Sequence, residues 1–310
     1  MALRYDSATL LDSIRQAAGL NSVQTDGNDD EDLLKLVNER MRDTVMPKLM
    51  QAREEYGIRS VRVALGSVSR YRIPHRAMGN KLRDLIYSDG STRSYLPRIV
   101  REDIDLYTDP GSGTPDGWYL EGNYVQLVPI QGSYTGFLEM AFMVRPSLMV
   151  PIAETRTISA LALSSKQVTL SATPPATFVD GAKIDIHSFE SGAEIKLMDL
   201  TQVGAPAGSV ITFLETIDGS SFGTMAPAVG DYACLAGESA LPQIPEDMIP
   251  TLIGSVALFR IGADGDPKVQ ILGPLLTEQM KAADVLLSDR VEGRPRRVQG
   301  WRRQIQGWSP

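Results

Sequence analysis

Apolar residues recur at helical spacing near both ends of the chain and at strand spacing between them. In "SATLLDSIRQAAG", Leu10, Leu11, Ile14 and Ala18 share one helical face, Ser7 is placed to cap the start and Gly19 to end it. The polar run "NSVQTDGNDDED" reads as a loop. Beyond it Leu33, Leu34, Val37, Met41, Val45 and Leu49 keep helical spacing towards Gly57. Asp29, Asp30 and Asp32 put negative charge where a helix N-terminus favours it, and Pro47 predicts a kink or interruption.

From residue 58 the period shortens. "RSVRVALGSVSRYRI" is rich in β-branched residues, Asp89-Gly90 and Gly122-Asn123 separate extended runs as hairpin turns do, and Leu138, Met140, Phe142 and Val144 alternate on one face. Residues 152–238 hold further short strands punctuated by Pro174-Pro175, Asp180-Gly181, Asp218-Gly219 and Gly230-Asp231, a spacing that suggests a small sandwich or barrel. Helical spacing resumes after Pro242 and Pro245 in "EDMIPTLIGSVALFRIG" and "ILGPLLTEQMKAADVLLSDRVEG". Two such helices cannot bury an apolar stripe alone, so they are expected to pack on the N-terminal ones.

The fold expected is therefore α+β: a helical bundle built from the N- and C-terminal segments, with inserted β-hairpins and a small β-sandwich or barrel domain. Its parts are N-terminal helices at 1–57, a hairpin region at 58–151, an inserted β-domain at 152–238, C-terminal helices at 239–292 and an arm at 293–310.

With 310 residues, 43% of them hydrophobic, the chain can bury a full core. Cys234 is the single cysteine, which excludes an intrachain disulfide and a cysteine metal cluster. The opening residues do not read as a signal peptide, and no stretch approaches the roughly 20 apolar residues of a membrane-spanning helix. The formal net charge of −7 is uneven: from Arg290 onward six arginines face Glu292 alone, giving 6 − 1 = +5 and leaving −7 − 5 = −12 for the rest. An acidic body repels nucleic acid at long range, while an Arg-rich end can grip a phosphate or an acidic protein surface.

No motif completes a catalytic set. "GSSFG" fits G-x-S-x-G with Ser221 as nucleophile, but no helix pattern follows, and His75 and His187 both precede the serine. "DGNDDED" lacks the glycine and glutamate positions of a calcium loop, and "GSGTPDG" lacks the Lys-Ser/Thr pair of a phosphate cradle. His75 and His187 read as ordinary strand residues, and no cofactor or metal ligand set is recognisable. In "YRIPHRAMGNKLRDL", Arg72, Arg76, Lys81 and Arg83 are expected to face outward and to meet acidic residues of another copy.

Taken in order, "SVSRYRIPHRAMGNKLRDL", "GWYLEGNYVQLVP", "GFLEMAFMVRPSLMV" and "GDYACLAGESALPQIPEDMIPTLI" resemble the head-to-tail adaptor, or connector, proteins of tailed bacteriophages, over about residues 30 to 290. The resemblance implies a non-enzymatic virion protein made in the host cytoplasm. It implies a ring, usually of twelve copies, at the head-tail junction, bound to the portal and to tail or other neck proteins, with DNA passing through the channel. The β region at 152–238 exceeds that of the smallest members. Two other readings arise from the residues: a serine hydrolase using Ser221, and a DNA-binding accessory protein acting through the basic C-terminal segment. The arm carries Arg294, Arg296, Arg297, Trp301, Arg302, Arg303 and Trp308, residue types enriched among interface anchors, and is expected to bind a partner.

Overall fold

The computed structural model describes residues 5–20, 29–52, 54–107, 114–130, 134–189, 194–219, 225–263, 265 and 267–287. Helix α1 (Ser7–Ala18) starts one residue earlier than its sequence suggests: the Asp6 carboxylate accepts the Thr9 N–H at 2.8 Å, and Ser7 is buried as the first helical residue. Gly19 closes the helix at φ 64°, a left-handed conformation that suits glycine. Helix α2 (Asp30–Arg40) is capped by Asp29, which accepts the Asp32 N–H. It continues through a π-helical turn, Met41–Val45, into α3 (Met46–Ala52). The widened turn ends two residues before Pro47, whose missing N–H and bulky ring disrupt regular α winding.

The middle of the chain forms two sheets. In the first, β1 (Ile58–Ala64), β3 (Ala77–Ser88), β4 (Arg93–Tyr95) and β7 (Phe137–Val144) lie in the order β1-β7-β3-β4. In the second, β2 (Arg70–Arg72), β5 (Gly117–Glu121) and β6 (Tyr124–Val128) lie in the order β2-β6-β5. Both turns expected from sequence are present. Asp89 accepts hydrogen bonds from the backbone N–H and the hydroxyl of both Ser91 and Thr92, which hold its carboxyl well below the usual carboxylate range. Gly122, at φ 59°, and Asn123 join β5 to β6 with Glu121 opposite Tyr124. Leu138, Met140 and Phe142 from one sheet share a core with Tyr71, Val125 and Leu127 from the other.

The chain then enters a third unit through β8 (Leu148–Met149) and leaves it through β15 (Glu238–Ser239), which pair in parallel, so entrance and exit stand side by side. Between them β9 (Arg156–Ala162), β10 (Gln167–Leu170), β11 (Lys183–His187), β12 (Ile195–Thr201), β13 (Val210–Thr212) and β14 (Tyr232–Leu235) lie in the order β12-β11-β14-β9-β10-β13. The sheet closes on itself. Gln202 bridges Phe213, Val203 N–H meets the Thr212 carbonyl at 2.8 Å, and Leu214 N–H meets the Thr201 carbonyl at 2.9 Å. Ile158, Val168, Ile184, Ile186, Ile211 and Phe213 fill this barrel.

Finally α4 (Ile249–Ala263) and α5 (Val269–Leu287) return to the N-terminal helices. Leu252 and Val256 of α4 join Leu10, Ile14, Val37 and Leu49 in one buried cluster. The helical bundle with subordinate hairpins is not the fold. The described residues hold fifteen strands in four sheets, and residues 58–144 build a two-layer core, joined by Ile195 of β12, rather than hairpins attached to helices. Local periodicity located the elements, but Ile58 pairs with Met143 far along the chain, and such pairing decides the architecture. Among the described residues no helix is long and apolar enough to cross a membrane.

Candidate functional site

Strand β11 carries two faces. Its alternation sends Ile184 and Ile186 into the barrel core and Asp185 and His187 to the other side. Asp185 lies directly opposite Cys234 on β14, and His187 opposite Tyr232. That side does not face solvent. Asp185 and Cys234 are 0% exposed and His187 is 1% exposed, because the loop before β3, Ser147 and the segment leading to α4 cover them.

The cover is polar and closely matched. Arg76 Nη1 donates to Asp185 Oδ2 at 2.6 Å and Arg76 Nη2 to Ser147 Oγ at 2.9 Å. Asp185 also accepts the Gly237 N–H on Oδ2 at 3.0 Å and the Asp199 N–H on Oδ1 at 2.8 Å. Ser147 N–H donates to Gln243 Oε1 at 2.6 Å, and Gln243 Nε2 lies 3.1 Å from His187 Nδ1. Arg59 adds a second tie from body to barrel, with Nη2 2.6 Å from Glu194 Oε1.

An acid, a histidine and a thiol lie close together here, which invites a nucleophilic reading. Burial opposes it. Desolvation first, and then the Asp185 charge, push the Cys234 thiol well above its ordinary range, so the reactive thiolate is suppressed. Cys234 Sγ instead donates to the Glu238 carbonyl at 2.8 Å. What the cluster does chemically is hold the barrel to the two-sheet body with charge-assisted hydrogen bonds.

Asp199 is the strained member. It sits at φ 57° on β12 where the pairing with β11 slips, and its Oδ1 is buried without a hydrogen-bond partner among the described residues. Desolvation and then the Asp185 charge raise its pKa above the ordinary 3.8, against the lowering influence of His75, Arg76 and Lys183. A folded pKa above the unfolded one means that the ionised carboxylate weakens the fold at neutral pH, and that this penalty vanishes as pH falls below the unfolded value. Asp199→Asn, which keeps a residue tolerant of positive φ, should therefore stabilise the chain at pH 7. Urea midpoints measured from pH 7 to pH 3.5 should show the gain shrinking; a gain independent of pH would contradict this origin.

The four cations expected to line an outward face do not share one environment. Arg72 is exposed on β2, Lys81 lies on β3, and Arg83 is exposed on β3 with Nε 3.6 Å from Asp84 Oδ2. Arg76 is 5% exposed and cannot reach another copy, because the barrel covers it. His75 stays at the surface with Nε2 3.7 Å from Asp199 Oδ1. Ser221 lies outside the described residues, as do Arg294, Arg296, Arg297, Trp301, Arg302, Arg303 and Trp308. Sequence reasoning passed over Asp185, Ser147 and Gln243. The only signal was the polar half of "KIDIHSF", which reads as a solvent face until a second layer is placed on it. Comparison with known protein families finds no match, and none of the curated proteins matches the chain.

Proposed function

We propose that the chain is a structural virion protein of the head-to-tail adaptor kind, a ring of about twelve copies by the family resemblance, joining portal to tail and letting DNA pass. The observation that carries this reading is the sealed junction: Arg76, Asp185, Ser147 and Gln243 fix an inserted barrel to the body, and His187 and Cys234 are buried beside them. Such a joint holds two surfaces at a set angle, as an assembly unit requires. The order of motifs from Tyr71-Arg72-Ile73-Pro74 to Leu241-Pro242-Gln243-Ile244-Pro245 adds to it, because it resembles that of connector proteins.

Charge supports the same reading. Residues before Arg290 sum to −12, and an acidic body lacks the phosphate attraction that makes DNA adhere. Native mass spectrometry and electron microscopy of the purified chain, alone and with the cognate portal, are expected to show closed rings docked coaxially on the portal. A chain that neither closes into rings nor binds portal or neck proteins defeats the proposal.

A further inference from the structure

Helix α5 is amphipathic on its inner side and apolar again on its outer side. Val269, Leu272, Leu276 and Met280 are half-buried against the body, yet Ile271, Leu275, Glu278, Ala282 and Val285 are all exposed. The outer set repeats in steps of four and three, the spacing with which one helix packs along another. Ile271 is 67% and Val285 73% exposed. One carboxylate, Glu278, stands within it.

A matching recess lies elsewhere on the same molecule. A groove of about 530 Å³ runs between the π-helical turn, α4 and the flank of α5, lined by Arg40, Thr44, Ser255, Phe259, Gly262 and Leu276. Its floor is mainly apolar and its single cation is half-satisfied: the Arg40 guanidinium stacks 4.0 Å from the Phe259 ring centroid, while its Nε is buried with no hydrogen-bond partner among the described residues. An apolar groove edged by one half-buried guanidinium complements an apolar stripe with one carboxylate.

We infer that the outer stripe of α5 from one copy docks in the Arg40–Phe259 groove of the next, with Glu278 accepting from Arg40. Stripe and groove are different surfaces, so the contact is heterologous and propagates from copy to copy until a ring closes. This inference rests on the ring reading and names the contact that builds it.

The test uses the full chain. Arg40→Glu and Glu278→Arg should each weaken self-association at least tenfold by analytical ultracentrifugation, and the double variant should restore it. Mixing R40C with E278C under mild oxidation should give a crosslink between copies, since the native Cys234 thiol is buried. Circular dichroism monitors folding, and Arg40→Gln with Glu278→Gln replace the reversals where those do not fold. Rings that form equally well in every variant would overturn the contact and leave the ring reading standing. Reciprocal rescue in an assembly that stops at a closed dimer would support the contact and remove the ring. A chain monomeric at all concentrations, with no R40C–E278C crosslink, removes both.

Discussion

Arg76→Ala should lower the free energy of unfolding by about 3–5 kcal/mol, the usual cost of removing one partner from a buried ion pair. Asp185 is 0% exposed and cannot recover water when the guanidinium is lost; the N–H groups of Asp199 and Gly237 remain, but they are not a full charge. Ser147 loses its Arg76 contact as well. The damage should fall first on the joint, so hydrogen exchange should rise in β11 and β14 before it rises in the helices. Arg76→Met combined with Asp185→Leu should recover most of the loss, because replacing both charges removes the desolvation cost along with the attraction. Chemical denaturation of the three variants checks this. A single-variant loss below about 1 kcal/mol would mean that water enters the junction and that the barrel is not locked.

The same pair shows how far the sequence reaches. Asp89-Gly90 and Gly122-Asn123 are turns because their local chemistry demands it, and Leu138, Met140, Phe142 and Val144 point to one side because a strand alternates. Those facts lie within a few residues of each other. Arg76 and Asp185 are 109 residues apart, and nothing local in "YRIPHRAMG" or "KIDIHSF" says that one covers the other. The helical-bundle reading failed for the same reason. Both ends do meet, through Leu10, Val37 and Leu252, but the strands between them close mostly on each other, and β8 reaches the helices through Met149. Even the α1 cap turns on one residue: Asp6 and Ser7 are both good caps by type, and it is the aspartate that accepts the Thr9 N–H, with Ser7 buried as the first helical residue.

Phe142→Ala should cost a further large amount, about 3–5 kcal/mol, for a reason that involves no charge. Strand β7 lies between β1 and β3, and Phe142, 0% exposed, faces the core that the two sheets share. Truncation leaves a cavity that the strand cannot collapse into while its partners Arg59 and Leu82 hold it on both sides. The effect should also reach the joint, because the Arg145 N–H just beyond β7 donates to the Arg76 carbonyl at 2.7 Å, so a shift in β7 moves the residue that grips Asp185. Phe142→Ala and Arg76→Ala should accordingly be non-additive, with a coupling of about 0.5 kcal/mol or more. Phe213→Ala is the contrast. It removes a ring of the same size from the barrel core, a cluster distinct from the two-sheet one, into which the barrel sends Ile195 of β12. Its loss should appear as exchange in β10 and β13 while β3 and β7 stay protected. If Phe213→Ala instead exposes β7 as readily as Phe142→Ala does, the barrel and the body unfold as one unit, and the Arg76–Asp185 joint couples two cores rather than linking separable ones.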